Sequence, residues 1–273
     1  MGSAVRTPKI IYGTAWKKAD TERLVRIAIQ QGFRGIDTAC QPKHYDESGV
    51  GAGVAACLDQ KLTRADLYLQ TKFTAVSGQD PARIPYDPKA PLPAQVAQSF
   101  SASLRNLQTP YLDCLVLHSP FANAKHTLEA WRAMESLVAG GGVRQLGISN
   151  CYELDALAAL YDAARLKPAV VQNRFYADTG YDRAIRAFCD KRRIIYQSFW
   201  TLTANPQLLA HATISVLASR YGRTPAQILF RYLTQSGVVP LTGTRSEAHM
   251  REDLGVFDFE LADLEREAVD AIL

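Results

Sequence analysis

Four ionisable side chains of four different types, Asp37, Tyr45, Lys72 and His118, stand where short apolar runs end. Asp37 closes Gly35-Ile36-Asp37, Lys72 follows Leu69-Gln70-Thr71, and His118 follows Leu115-Val116-Leu117. Tyr45 lies in the segment after Asp37. Each alone has an ordinary structural role: a loop cap for Asp37, packing for Tyr45, a satisfied core histidine for His118. Lys72 is harder to dismiss, because burying an ammonium without a partner is costly. As a set they make a proton-transfer centre. A phenol has a pKa of about 10. A neighbouring ammonium favours its phenolate, and a carboxylate holds that ammonium charged and oriented. Tyr45 would then protonate a carbonyl oxygen as hydride arrives at the carbon, while His118 hydrogen-bonds and positions the same oxygen.

For these residues to meet, the chain must bring the ends of successive strands together. Runs at 10–12, 35–37, 67–72, 111–118, 145–149, 170–173, 194–198 and 238–242 read as strands. Several are nearly continuous in Val, Ile, Leu and Tyr, the pattern of parallel strands buried on both faces. Helical periodicity fills the intervals at 20–31, 48–58, 93–106, 127–139, 152–164 and 182–191. Two helices, 206–221 and 224–234, precede the last strand, and 246–253 and 261–273 follow it. Gly32 stands just past the first helix as a C′ glycine, and Thr224-Pro225 supplies an N-cap and first helical residue.

Regular alternation of this kind predicts the α/β class with a parallel sheet. Eight units in 273 residues favour a closed (β/α)8 barrel, one domain over 1–273, above an open doubly wound sheet. No G-x-G-x-x-G follows the first strand, which weakens the dinucleotide-fold alternative. Gly140-Gly141-Gly142 reads as a helix-to-strand turn. In such a barrel catalytic groups come from the C-terminal ends of strands, so the four residues converge on one pocket. The segment 74–92, with Pro81, Pro85, Pro88 and Pro91, follows the third strand and falls on the same face. Long loops there are commonly binding elements.

Composition narrows the function. The net charge of +4 is too small and too scattered for nucleic-acid binding. The densest basic cluster, Lys191-Arg192-Arg193, suits a helix C-terminus. Five cysteines, an odd number with no C-x-x-C pair, argue against a disulfide framework or a zinc site, and free thiols fit a reducing, cytoplasmic setting. No run approaches the ~20 apolar residues of a membrane span. Met1-Gly2-Ser3-Ala4-Val5 shows no apolar signal region. Of five histidines only His118 ends a strand, so no metal site is expected and a metal-dependent barrel hydrolase is disfavoured.

The sequence resembles the aldo-keto reductase superfamily over almost its whole length, from Gly13 to Phe259. The matching stretches are Gly32-Phe33-Arg34-Gly35-Ile36-Asp37-Thr38-Ala39, Tyr45 through Val50-Gly51, Gln70-Thr71-Lys72, Tyr111-Leu112-Asp113 to His118, Gly147-Ile148-Ser149-Asn150 and Val256-Phe257-Asp258-Phe259. The resemblance implies a TIM barrel that reduces aldehydes and ketones with NADPH, less often NADH. It implies an Asp–Tyr–Lys–His tetrad at Asp37, Tyr45, Lys72 and His118. It also assigns Ser149, Asn150 and Gln172 to the nicotinamide carboxamide, whose donor and acceptor Asn and Gln side chains can read together. Ser198 matches a serine near the cofactor pyrophosphate, and Thr242 to Asp253 match the adenosine end. A monomer and a small carbonyl substrate are implied as well, with no nucleic-acid or membrane partner.

Three departures stand out. The loop from Asp37 to Tyr45 is two residues longer than in typical members. It puts Pro42 where a shorter loop would place the tyrosine; Asp46-Glu47 and Val50-Gly51 select Tyr45 instead. Gln197 occupies the position of the aromatic that stacks on nicotinamide, with Tyr196 and Trp200 beside it. Gly243-Thr244 replaces a Lys-Ser pair, and His249 replaces an arginine, at the site for the NADPH 2′-phosphate. Arg245 is the candidate replacement charge, with an anion also favoured by the helix N-terminus near Ser246. Trp16, Phe73, Phe121 and Trp200 are expected to wall the substrate pocket, a surface suited to aryl or medium-sized carbonyls. The competing function is a cofactor-binding regulatory or sensor subunit with low turnover. Retention of all four tetrad residues favours the enzyme.

Overall fold

In the computed structural model, which describes residues 5–59 and 61–273, eight parallel strands close into a barrel in chain order, with the last hydrogen-bonded to the first. They are β1 (Ile11–Gly13), β2 (Gly35–Asp37), β3 (Tyr68–Phe73), β4 (Leu112–Leu117), β5 (Val143–Ser149), β6 (Val170–Arg174), β7 (Ile195–Phe199) and β8 (Val239–Thr242). Between and after them run α1 (Thr21–Gln31), α2 (Glu47–Ala55), α3 (Leu92–Asn106), α4 (Ala124–Ala139), α5 (Leu154–Ala163), α6 (Arg183–Arg192), α7 (Pro206–Leu209), α8 (Ala212–Tyr221), α9 (Pro225–Gln235), α10 (Glu247–Leu254) and α11 (Asp263–Asp270). The reading of Met1 to Ala4 lies outside the described residues.

Side chains alternate between the two faces of a strand, and here the alternation sorts them into two cores. Ile11, Tyr68, Cys114, Val116, Val170 and Leu241 cluster inside the barrel. Their neighbours Tyr12, Leu69, Leu115 and Val171 belong to the larger core shared with the helices. Gly147 on β5 shows how full the interior is. A Cβ there would come within 2.9 Å of Val170 Cβ and 3.2 Å of Val116 Cγ2.

Moving up the inner face, the character changes. The series on β3 is Tyr68, Gln70, Lys72; on β6 it is Val170, Gln172, Arg174; on β7 it is Ile195, Gln197, Phe199. An apolar plug therefore gives way to a layer of glutamines, and the glutamines support charged residues at the C-terminal mouth.

The expected single helix over 206–221 is two. His211 adopts extended backbone (ψ 142°) and accepts a bond from Thr213 N through its ring, which caps α8 and separates it from α7. Segment 74–92 is pinned rather than loose. Tyr86 Oη and Gln79 Nε2 both donate to Thr74 O, and Gln41 Nε2 donates to Gly78 O at 2.7 Å.

Candidate active site

At the mouth of the barrel Asp37 and Lys72 form a buried ion pair. Lys72 Nζ donates to Asp37 Oδ1 (2.8 Å), Asp37 Oδ2 (2.6 Å) and Thr38 O (2.8 Å). Burial works against the charged lysine. The Asp37 carboxylate, Tyr45 and the hydrogen bonds to Asp37 together outweigh it, so the Lys72 pKa ends above its usual value. Beneath the pair, Gln70 Nε2 and Gln172 Nε2 donate to Asp37 Oδ1 at 2.7 and 3.0 Å. Both amides also donate to Gln197 Oε1 at 2.9 Å.

Tyr45 reaches this pair from the longer loop. His44 N and Tyr45 N both donate to Gln41 O at 3.1 Å, so the additional residues form a turn that leaves Tyr45 facing the cleft. Immediately afterwards Asp46 caps α2 by accepting from Gly49 N (2.9 Å). The buried Glu47 is anchored by Thr71, Ser103 and Asn106. The Tyr45 ring centre lies 5.2 Å from Lys72 Nζ and 6.1 Å from the His118 ring, which it meets edge-on. Loss of water raises the Tyr45 phenol above its usual pKa, with Lys72 pulling the other way. His118 Nδ1 is 2.6 Å from Thr74 Oγ1. Burial, then the charges of Lys72 and His44, push its imidazole down to about 3, so the ring is neutral at physiological pH.

These four residues line a cleft of about 1190 Å³. Ser149, Asn150 and Gln172 line it too, as do Thr242, Gly243, Thr244, Arg245, His249 and Asp253. Gln172 Nε2 is spent on Asp37 and Gln197, whereas its Oε1 accepts from no protein donor among the described residues and remains available in the cleft. Asn150 has left-handed backbone (φ 51°) and donates to His118 O at 2.9 Å. Thr242 Oγ1 donates to Asp253 Oδ2 at 2.6 Å, and burial raises the Asp253 carboxyl to about 6. Trp16 and Trp200, 49% and 47% exposed, stand at the rim, both on left-handed backbone.

Four of the residues singled out from the sequence do not line this cleft. Phe73 directly follows Lys72, so its side chain takes the opposite face and packs against Tyr86 in the outer core. Ser198 alternates away from the interior for the same reason; it is fully buried and accepts from Thr201 Oγ1 at 2.9 Å. Gln197 lies below the cleft in the glutamine layer. Phe121 lines a smaller neighbouring cavity of about 330 Å³, which it shares with His118, Thr74 and Ser119. Conversely, Lys17, His44 and Arg174 line the main cleft and were not among the residues read from the sequence. Two of them had a signal: Lys17 follows the rim residue Trp16, and Arg174 shares the strand parity of Gln172.

The aldo/keto reductase family matches residues 9–273. The chain belongs to that family. It is an oxidoreductase of the aldo-keto reductase type, acting on aldehydes and ketones. Among curated proteins it is 30% identical over 248 residues to a glyoxal reductase of Bacillus subtilis, covering 91% of this chain and 82% of that one. It is 29% identical over 243 residues to a methylglyoxal reductase of Yersinia pestis, covering 89% of this chain and 80% of that one. The crystal structure of an aldo/keto reductase from Brucella melitensis superposes with a TM-score of 0.82 at 26% identity, over 97% of this chain and 95% of that one. In this aldo-keto reductase the β1 and β8 loops are tied together along the cleft. Lys17 Nζ donates to Gly243 O, Tyr12 Oη donates to Thr244 O (2.8 Å), and Arg245 bonds Asp20 (2.9 Å) and Trp16 O (2.7 Å).

Proposed function

We propose that the enzyme reduces a small aldehyde or ketone to the alcohol with NADPH, and that Tyr45 delivers the proton to the carbonyl oxygen. The observation that carries this reading is the convergence of Tyr45, His118 and the Asp37–Lys72 pair on one cleft with room for a dinucleotide and a small substrate. When bound, the nicotinamide supplies hydride to the carbonyl carbon.

The chain's own groups do the rest. Desolvation keeps the Tyr45 phenol protonated at neutral pH, and Lys72 offsets part of the cost of the phenolate left after proton transfer. Asp37 holds Lys72 charged and fixed. With the Thr74 hydroxyl as donor to His118 Nδ1, the neutral imidazole carries its proton on Nε2, where it hydrogen-bonds the carbonyl oxygen. Gln172 Oε1 accepts from the carboxamide, with Asn150 and Ser149 setting its place, and the segment from Thr242 to Asp253 takes the adenosine end.

NADH is the competing cofactor, because Asp20 already neutralises Arg245, the residue proposed for the 2′-phosphate. The names of the two curated relatives suggest small dicarbonyls as first substrates, and the Trp16 and Trp200 walls suit aryl aldehydes. We assign the enzyme to the cytoplasm as a monomer. The test is oxidation of NADPH and NADH, followed at 340 nm, with methylglyoxal, glyoxal and benzaldehyde. Carbonyl-dependent turnover with NADPH supports the reading. Tight cofactor binding without turnover of any carbonyl favours a regulatory or sensor role instead.

A further inference from the structure

Among the described residues one cation of the cleft has neither a counter-charge nor a hydrogen-bond partner for its side chain. Lys72 is paired with Asp37, and Arg245 with Asp20. Lys17 is committed to Gly243 O, and burial and then Arg245 lower its pKa to about 8. Arg174 differs from all three. Among the described residues no carboxylate lies within ion-pair distance of it. Its Nε is buried without a hydrogen-bond partner. A guanidinium stays charged at any physiological pH and carries five donors in a rigid fork, and a buried donor left unmade is costly.

The surroundings hold Arg174 in place without using those donors. Its Cζ lies 4.3 Å from the Trp200 ring centre and 5.1 Å from that of Tyr176. Cation–π attraction draws on the charge and occupies no N–H. Trp200 keeps left-handed backbone (φ 57°), a strained conformation for a tryptophan that its surroundings must impose. Asn205 Nδ2 imposes part of it by bridging Thr201 O (2.8 Å) to Phe175 O (2.6 Å), which ties the Trp200 loop to the residue after Arg174. On the other side, Arg174 N donates to Tyr152 Oη, Tyr152 Oη donates to Asn150 Oδ1, and Asn150 Nδ2 donates to His118 O. Strand parity places Arg174 directly above Gln172 on the inner face of β6.

We propose that Arg174 is an oxyanion anchor of this cleft, its fork taking either the carboxylate of an acidic aldehyde substrate or a phosphoryl group of the cofactor. This rests on the reductase reading above. It assigns the aromatic pair Trp200 and Tyr176 as the mount that presents the fork, in the way planar, bidentate recognition requires.

The first test needs no turnover. Intrinsic tryptophan fluorescence is followed while the wild type, Arg174→Met and Arg174→Lys are titrated with succinate and with inorganic pyrophosphate. A saturable change in the wild type that disappears in Arg174→Met is expected, with Arg174→Lys retaining a weaker one. The second test separates the sources. Succinic semialdehyde and its uncharged counterpart butanal are compared, together with the cofactor Kd. A substrate carboxylate predicts that Arg174→Met lowers kcat/KM for succinic semialdehyde by about 10–100-fold, with butanal within about twofold and the cofactor Kd unchanged. A cofactor phosphoryl group predicts a cofactor Kd raised by about tenfold or more, with the ratio between the two aldehydes unchanged. The anchor is overturned if neither anion shifts the wild-type signal, or if Arg174→Met and Arg174→Lys, both folded by circular dichroism, leave Kd and the aldehyde ratio as they were. Wild-type protein that reduces neither aldehyde sinks the reductase reading instead, and the fluorescence titration still decides the anchor.

Discussion

Two buried aspartates, at opposite ends of the same barrel, carry cations in very different settings. Asp113, near the start of β4, accepts from Arg64 Nη2 (2.8 Å), Arg144 Nη1 (3.0 Å) and Leu69 N (2.9 Å). The two guanidiniums lie 4.1 and 4.0 Å from the ring centre of Tyr111. Asp37, at the end of β2, accepts from Lys72, Gln70 and Gln172. Each carboxylate is met by three donor groups and each is 3% exposed, so neither the number of partners nor burial tells them apart. What differs is the far side of the partner. Around Asp113 Arg64 also donates to Leu67 O and Tyr111 O, and both guanidiniums lie over the Tyr111 ring. Around Asp37 the lysine looks toward Tyr45 and His118 in an open cleft. The first cluster fastens strands, and the second is positioned to tune Tyr45, the proposed proton donor.

That contrast breaks cleanly under mutation. Lys72→Met leaves Asp37 buried without its counter-charge, and a loss of about 3–5 kcal/mol in denaturant unfolding is expected, together with the loss of carbonyl reduction. Asp113→Asn should also destabilise, by about 2 kcal/mol, because it weakens charge-assisted bonds at the closed end; kcat/KM should stay within about twofold of the wild type. A smaller effect tests the neutral state of His118. Its folded pKa of about 3 lies below the unfolded value of 6.5, so the stability it contributes is complete above pH 6.5 and is lost as pH falls toward 3. The slope is at most about 1.4 kcal/mol per pH unit, and it should vanish in His118→Gln when unfolding is measured between pH 6.5 and 4. Thr74→Val, the mildest change, removes the bond to His118 Nδ1 and should cost about 1 kcal/mol in transition-state binding, read as a several-fold fall in kcat/KM.

Much of this molecule is legible in its sequence, for identifiable reasons. Parallel strands buried on both faces read as continuous apolar runs, so all eight strands were expected within two residues of where they lie. Polar residues that interrupt those runs at their ends, Asp37, Lys72 and His118, are conspicuous because a barrel interior tolerates so few. Tyr45 was harder, since the loop offers Pro42 at the ordinary spacing; in three dimensions the turn on Gln41 O and the cap at Asp46 leave Tyr45 lining the cleft beside His118 and Lys72. Parity would have excluded Phe73 and Ser198, which sit one residue from inward-facing Lys72 and Gln197. The role of Gln197 was hidden because it depends on two glutamines from other strands meeting under Asp37. The break at His211 was equally hidden, because a histidine cap leaves no periodic trace.

The central claim is that the cleft end of the Asp37–Lys72 pair serves Tyr45 as a proton donor. It is tested most directly by Tyr45→Phe, with cofactor binding measured by fluorescence and carbonyl reduction measured in parallel. The expected result is a fall in kcat of about 10²–10⁴-fold with the cofactor Kd unchanged. Reduction by Tyr45→Phe at the wild-type rate would contradict the account.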